Sequence, residues 1–295
     1  MSGPVLAAAA GLGFGVFQTL NRRAVGGMND AYLATFLQLV VAMLVLGAAT
    51  LATEDVRLLE DAPASAIGWF ALAGLVHFTV GWTFLNMSQM RIGAARTSPL
   101  LATNPVWGAL IAVALLGELP RAVAWAGIAV VLSGAFLVSL ERVHETGWGV
   151  RLNDALPGLA AALAWSFSPV FIKEGLDGLD APLLGLTIGM LVAVVAYAAL
   201  LPFRPRPEDA RLGSRTALAF KLAAGLMVGL SVWARWVSLD TTAVAVVLAL
   251  GLLSVPVVMV LSPALMGRHV ERVTLAVWTG GALVVAGGLI LVLFA

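Results

Sequence analysis

Apolar residues run along this chain in long unbroken stretches, without the alternation of a half-buried strand or the single stripe of a surface helix. Ten of these stretches, near 3–21, 31–52, 66–90, 93–117, 122–140, 155–173, 181–202, 216–239, 242–267 and 273–295, are long enough to be spans. About 20 helical residues suffice to cross roughly 30 Å of hydrocarbon. The first stretch opens MSGPVLAAAAGLGFGVF, with neither a basic leader region nor a clear cleavage site, so it reads as a span and not as a removable signal. Lipid offers no partner to a free backbone N–H or C=O, and the alternation of a membrane barrel is absent. The expected fold is therefore an all-α integral membrane protein of ten helices.

Slid against itself, the chain repeats at an offset of 151, with Phe14 falling on Trp165, Gly27 on Gly178, Gly74 on Gly225, Trp82 on Trp233 and Pro105 on Pro256. Past the fourth stretch the offset becomes 153, placing Trp125 on Trp278, Gly127 on Gly280 and Gly134 on Gly287, as a two-residue loop insertion would. Residues 1–140 and 155–295 then form two copies of five spans joined by 141–154. Five is odd, so the second copy enters the membrane from the opposite face, an inverted repeat of the kind many secondary transporters use. Loop charge agrees: ATEDVRLLEDAP is mostly acidic, whereas its mate carries Arg204, Arg206, Arg211, Arg215 and Lys221. Of the 17 Lys and Arg residues, 13 belong to the odd-numbered connections or their flanks, three to the even-numbered ones, and one is Arg235. The positive-inside rule makes the odd connections cytoplasmic and puts both termini outside.

Composition narrows the function. At 61% hydrophobic and 11% charged the chain has no residues left for an extramembrane domain, and a net charge of +1 gives no reason to expect a nucleic-acid partner. With no cysteine, disulfides, thiolate metal sites and cysteine nucleophiles are excluded. His77, His144 and His269 have no acidic neighbours at zinc-ligand spacing, and no glycine-rich phosphate loop is present, so neither catalysis, a metal nor a cofactor is expected.

At IGAARTSPLLATNPVWGALIAVALLGE (92–118) followed by AGIAVVLSGAFLV (126–138), the chain resembles the drug/metabolite transporter superfamily, EamA-domain type. The second copy is similar but weaker, and where the first has Gly117-Glu118 it has Gly267-Arg268-His269, so a role for Glu118 is not duplicated. The resemblance implies ten spans and the export or exchange of amino acids, other small metabolites, drugs or nucleotide sugars. It also implies both termini inside, against the charge count, which is followed here because it belongs to this chain. The protein is thus expected to lie in the bilayer of a bacterial cytoplasmic membrane and to take a small-molecule substrate.

Pro105 and Pro256 fall near the middles of the fourth and ninth spans, where each removes a donor and clashes one turn back; kinks there are expected to line the pathway, with Thr103, Asn104 and Ser254 re-bonding freed carbonyls. Thr79, Thr83 and Asn86 recur at helical spacing beside Trp82; Phe14, Gln18 and Asn21 do so in the first span, and Gln38 follows Thr35 in the second. Such stripes face protein or a water-filled cavity, so these residues, with Trp165, are expected around the substrate. His77 reads as a satisfied structural histidine before a proton carrier. No Asp or Glu sits at mid-membrane depth, so a carboxylate relay is unsupported. In SVWARWVSL, Arg235 lies between Trp233 and Trp236, while its repeat mate is Phe84. An arginine costs about 2.5–3.5 kcal/mol at a helix centre, so it is expected to hold a carboxylate in its fork while the tryptophans stack on the solute. The glycines of the fifth and tenth spans serve helix packing, or else a homodimer face. The expected function is alternating-access transport of an amino acid or other carboxylate-bearing solute; the competing readings are a passive channel or scramblase-like pore, and a structural membrane protein.

Overall fold

The computed structural model describes residues 3–28, 30–116, 122–140, 152–204, 213–242, 247, 250–267 and 273–294. Every element among them is helical: α1 (Gly3–Val25), α2 (Ala31–Thr53), α3 (Ala64–Gly74), a π-helical stretch (Leu75–Gly81), α4 (Trp82–Ile92), α5 (Ala94–Leu101), α6 (Asn104–Leu116) and α7 (Ala122–Leu140) in the first part. They continue as α8 (Leu152–Gly178), α9 (Pro182–Leu200), α10 (Arg215–Thr241), α11 (Ser254–Met266) and α12 (Leu275–Phe294), with short 3-10 turns at Val56–Leu59 and Leu201–Phe203. Most of the 141–154 connection, Glu118, Arg268, His144 and His269 lie outside the described residues.

Local chemistry sets the ends. Asp30 caps α2 by accepting from the Leu33 N–H at 2.9 Å, and Ser214 caps α10 by accepting from the Ala217 N–H at 3.2 Å. Gly93 (φ 80°) and Gly267 (φ 87°) end α4 and α11 in a left-handed conformation that a side chain would resist.

Six helical segments are long and apolar enough to cross a membrane, a judgement of length and composition: Gly3–Val25, Ala31–Thr53, Ala64–Ile92, Asn153–Gly178, Pro182–Phe203 and Arg215–Leu239. The all-α expectation holds. The expected fourth span differs, for it is broken into α5 and α6 at Ala102-Thr103, and a matching turn at Leu252-Leu253 precedes α11. Pro105 and Pro256 therefore sit in the first turn of a new helix and do not kink a continuous one. The physical cause is the one expected: a proline ring clashes with the carbonyl four residues earlier, so the α-pattern stops there and tightens to Val106 N–H→Thr103 O at 2.9 Å and Val255 N–H→Leu252 O at 3.1 Å. Thr103 donates its hydroxyl to the Leu100 carbonyl at 2.7 Å, which also accepts from the Thr103 N–H at 3.2 Å.

Packing joins helices in pairs through glycine. A β-carbon on Gly27 would lie 3.0 Å from that of Ala217, and one on Gly178 would lie 2.9 Å from that of Ala66. Gly74 abuts the backbone of Gly189, and Gly225 abuts Val41 and the Gln38 carbonyl. In α7 and α12, Gly134 faces the Gly280 carbonyl and Gly287 faces that of Gly127, while Gly281 and Gly288 seat Met259 and Leu252. These glycines pack inside one chain.

α2 is tied to α9 at both ends. The Arg204 guanidinium binds Asp30 at 3.0 Å beyond the end of α9, and the Glu54 carboxylate accepts from the N–H groups of Leu183 and Leu184 at 2.9 and 3.0 Å at its start. Between them Thr50 and Thr187 share a hydroxyl contact at 2.7 Å.

Gly74→Val should destabilise the protein by about 1–3 kcal/mol or more, because backbone occupies the site of the new atoms. Gly68→Val, where nothing lies within 4 Å, should lose little. Thermal unfolding in detergent compares the two directly.

Candidate functional site

Both helix breaks open on one central cavity of about 60 Å³. α1 contributes Phe14 and Gln18, the π-helical stretch His77, and α8 Trp165; the first break adds Asn104, the second Ser254, and α10 Arg235. The π-helical stretch widens the third span to an extra residue per turn, which turns His77 to this side, and such stretches concentrate at functional sites. His77 is held there: its Nδ1 contacts the Ser168 hydroxyl at 2.8 Å, its ring stacks on Trp165 at 5.5 Å, and the Trp165 indole N–H donates to its carbonyl at 3.2 Å. This is the geometry of a satisfied histidine.

Arg235 is different. No carboxylate lines the cavity, and the guanidinium has neither a hydrogen bond nor an ion pair among the described residues. The Gln18 side-chain oxygen is buried without a partner as well. The guanidinium offers five fixed donors and no acceptor.

The structure thus brings together Phe14, Gln18, His77, Asn104, Trp165 and Arg235, and holds the other expected residues elsewhere. Trp233 and Trp236 stand two residues before and one after Arg235, about 200° and 100° away around the helix, so they cannot share its face. Trp236 is buried against Phe70 at 6.0 Å, and Trp233 is half-buried beside Leu6 and Ala10. Trp82 is buried among Phe17 and Phe78 at 6.3 and 5.0 Å. Thr83 bonds the Tyr197 hydroxyl of α9 and the Thr79 carbonyl, which makes it interhelical glue. The π-helical stretch breaks the register that would have aligned Thr79 with Thr83 and Asn86.

Asn86 and Gln38 belong to a second polar centre, around Lys221. This ammonium is completely buried and donates to the side-chain oxygens of Asn21, Gln38 (2.9 Å) and Asn86 (3.4 Å). Asn21 in turn donates to Asn86 and Gln89 at 2.8 Å each, and Asn86 to Thr35 at 2.8 Å, so the amide orientations are set by the network itself. Sequence reasoning counted Lys221 with the basic charge of the connection that precedes its span. Its helix starts earlier, at Arg215, and the available signal was its repeat mate, Phe70, which marks the position as interior.

An all-helical bundle with six membrane-length helices defines a multi-pass membrane protein. Residues 1–140 match the EamA-like transporter family, whose members are membrane transporters of small solutes. A solved crystal structure shares the fold, with a TM-score of 0.66 at 19% identity over 98% of this chain and 95% of the other. No curated protein matches the sequence.

Trp236→Ala should cost about 3–5 kcal/mol of stability, as the loss of a buried aromatic does, and leave any ligand-induced stabilisation unchanged. Pro105→Ala should fold with the break relaxed toward continuous helix, because alanine restores an N–H and removes the ring clash that stops the α-pattern. Denaturation with and without ligand separates the first outcome, and circular dichroism reads the second.

Proposed function

We propose that the protein is a secondary transporter of a small carboxylate-bearing solute, an amino acid being the leading candidate, and that Arg235 anchors the carboxylate. The observation that carries this reading is a guanidinium that, among the described residues, has no partner and shares its central cavity with no acid. Phe14 and Trp165 supply apolar walls, Gln18 and Asn104 polar ones. At about 60 Å³ the cavity is far below the roughly 300–1,000 Å³ of ordinary ligand sites, so the solute enters only when the bundle opens.

Alternating access between two inverted halves is the proposed mechanism, and the packing pairs support it. At the offset of 151, the Gly27–Ala217 contact maps onto Gly178–Ala66, and Gly74–Gly189 onto Gly225–Gln38. At 153, Gly134–Gly280 maps onto Gly287–Gly127. A contact that recurs with its partners exchanged is the signature of a two-fold axis relating the copies. His77, already bonded, is not assigned to proton coupling. The odd-numbered connections are proposed to be cytoplasmic, in a bacterial inner membrane.

Ligand-dependent thermal stabilisation in detergent, screened over amino acids and organic acids, tests the reading, since a ligand stabilises only the state that binds it. Arg235→Lys should weaken the response through loss of the fork. Arg235→Gln should lose about 2–5 kcal/mol of binding, roughly 30-fold or more, with unfolding in the absence of ligand little changed. A full response from Arg235→Gln to every carboxylate that stabilises the parent would refute the anchor. Single cysteines in the connections after α2 and α9, probed with an impermeant thiol reagent on intact cells, test orientation: the first alone should label.

A further inference from the structure

Lys221 lies outside the cavity, and its surroundings are those of a latch. An ammonium has three donors and no acceptor, and three amide oxygens from α1, α2 and α4 meet it. No carboxylate touches it among the described residues. The Gln38 Nε2 is buried without a partner, and it shares its carbon with the oxygen that binds the ammonium, so an unused donor sits beside the charge.

The cage occupies one layer of the bundle. Along α1, Gln18 lines the cavity, Asn21 belongs to the cage, and Arg22 and Val25 line a recess of about 720 Å³ toward the face of the odd-numbered connections. Along α10 the order repeats, with Arg235 on the cavity, Lys221 in the cage, and Ala217 and Phe220 on the recess. The cage therefore separates cavity from recess. Its mates at the offset of 151 are Ile172 for Asn21, Gly189 for Gln38, Val237 for Asn86 and Phe70 for Lys221, none of them polar in the side chain. Phe70 and Ile172 are buried in the main core. The scaffold closes its other end without a charge, so the charge here is particular to this layer.

We propose that the Lys221 cage is the gate between the central cavity and the arginine-lined recess, and that a carboxylate opens it. A carboxylate oxygen is a stronger acceptor than a neutral amide oxygen. It takes the ammonium and the Gln38 N–H as donors, the three amide oxygens release the lysine, and α10 is freed from α1, α2 and α4. The trigger rests on the carboxylate reading of the substrate; the latch does not.

The cysteine-free chain allows a direct test. Ala10→Cys places one thiol on the cavity, and Gly26→Cys, in the recess, identifies the face from which an impermeant maleimide enters. In membrane vesicles of the orientation that labels Gly26→Cys, the Ala10 thiol should react slowly. Saturating acetate should speed it at least several-fold, and acetamide, the neutral isostere, should not. Adding Lys221→Gln should give fast labelling without acetate, and Gln38→Leu, which keeps the charge and removes one oxygen, an intermediate rate. Thermal unfolding establishes that each variant is folded; if Lys221→Gln is not, the Gln38→Leu rate decides. Labelling of folded Lys221→Gln as slow as the parent's, or of Gln38→Leu where that variant decides, overturns the latch. Acetate that stabilises the parent against heat yet leaves labelling unchanged overturns the trigger, whereas acetate that does neither points to the carboxylate reading of Arg235.

Discussion

A polar group inside a membrane bundle must find its partner in the protein, because lipid supplies none. That constraint organises this molecule. The backbone leaves the α-helical pattern around Leu75–Gly81, Ala102-Thr103 and Leu252-Leu253, and at each the chain lines the cavity. Elsewhere the helices are regular and close on one another through glycine, and side-chain hydroxyls bond back to their own turns, as Thr19 does to Gly15 at 3.0 Å and Ser231 to Met227 at 2.7 Å.

The two buried cations resolve the same constraint in opposite ways. Lys221 has its three donors matched by three neutral oxygens, whereas Arg235 faces the cavity with its fork unmatched among the described residues. A matched charge holds elements together; an unmatched one waits for something that arrives. Their lipid-inaccessible positions at successive levels of α10 divide holding from receiving along one helix.

The helical class, the break-bearing prolines and Arg235 were legible in the sequence because each is a departure from apolar monotony that physics penalises. Trp233 and Trp236 misled, since adjacency in sequence is not adjacency on a helix, and both turn into packing. The Thr79, Thr83 and Asn86 stripe failed for a subtler reason: periodicity assumes a uniform 3.6-residue turn, and nothing in LVHFTVG announces that it winds wider. Lys221 escaped because a charge near the start of a span is counted with the basic connection that precedes it. Only the assembled bundle, with Asn21, Gln38 and Asn86 converging from three other helices, reveals it as interior.

The double tie between α2 and α9 has a mechanical meaning. Asp30 grips Arg204 at one face while Glu54 grips the start of α9 at the other, and a hydroxyl contact lies between. Two antiparallel rods fastened at both ends resist sliding and twisting against each other. Motion that opens the bundle must carry them as one strut, so the remaining helices swing about it as doors about a shared post.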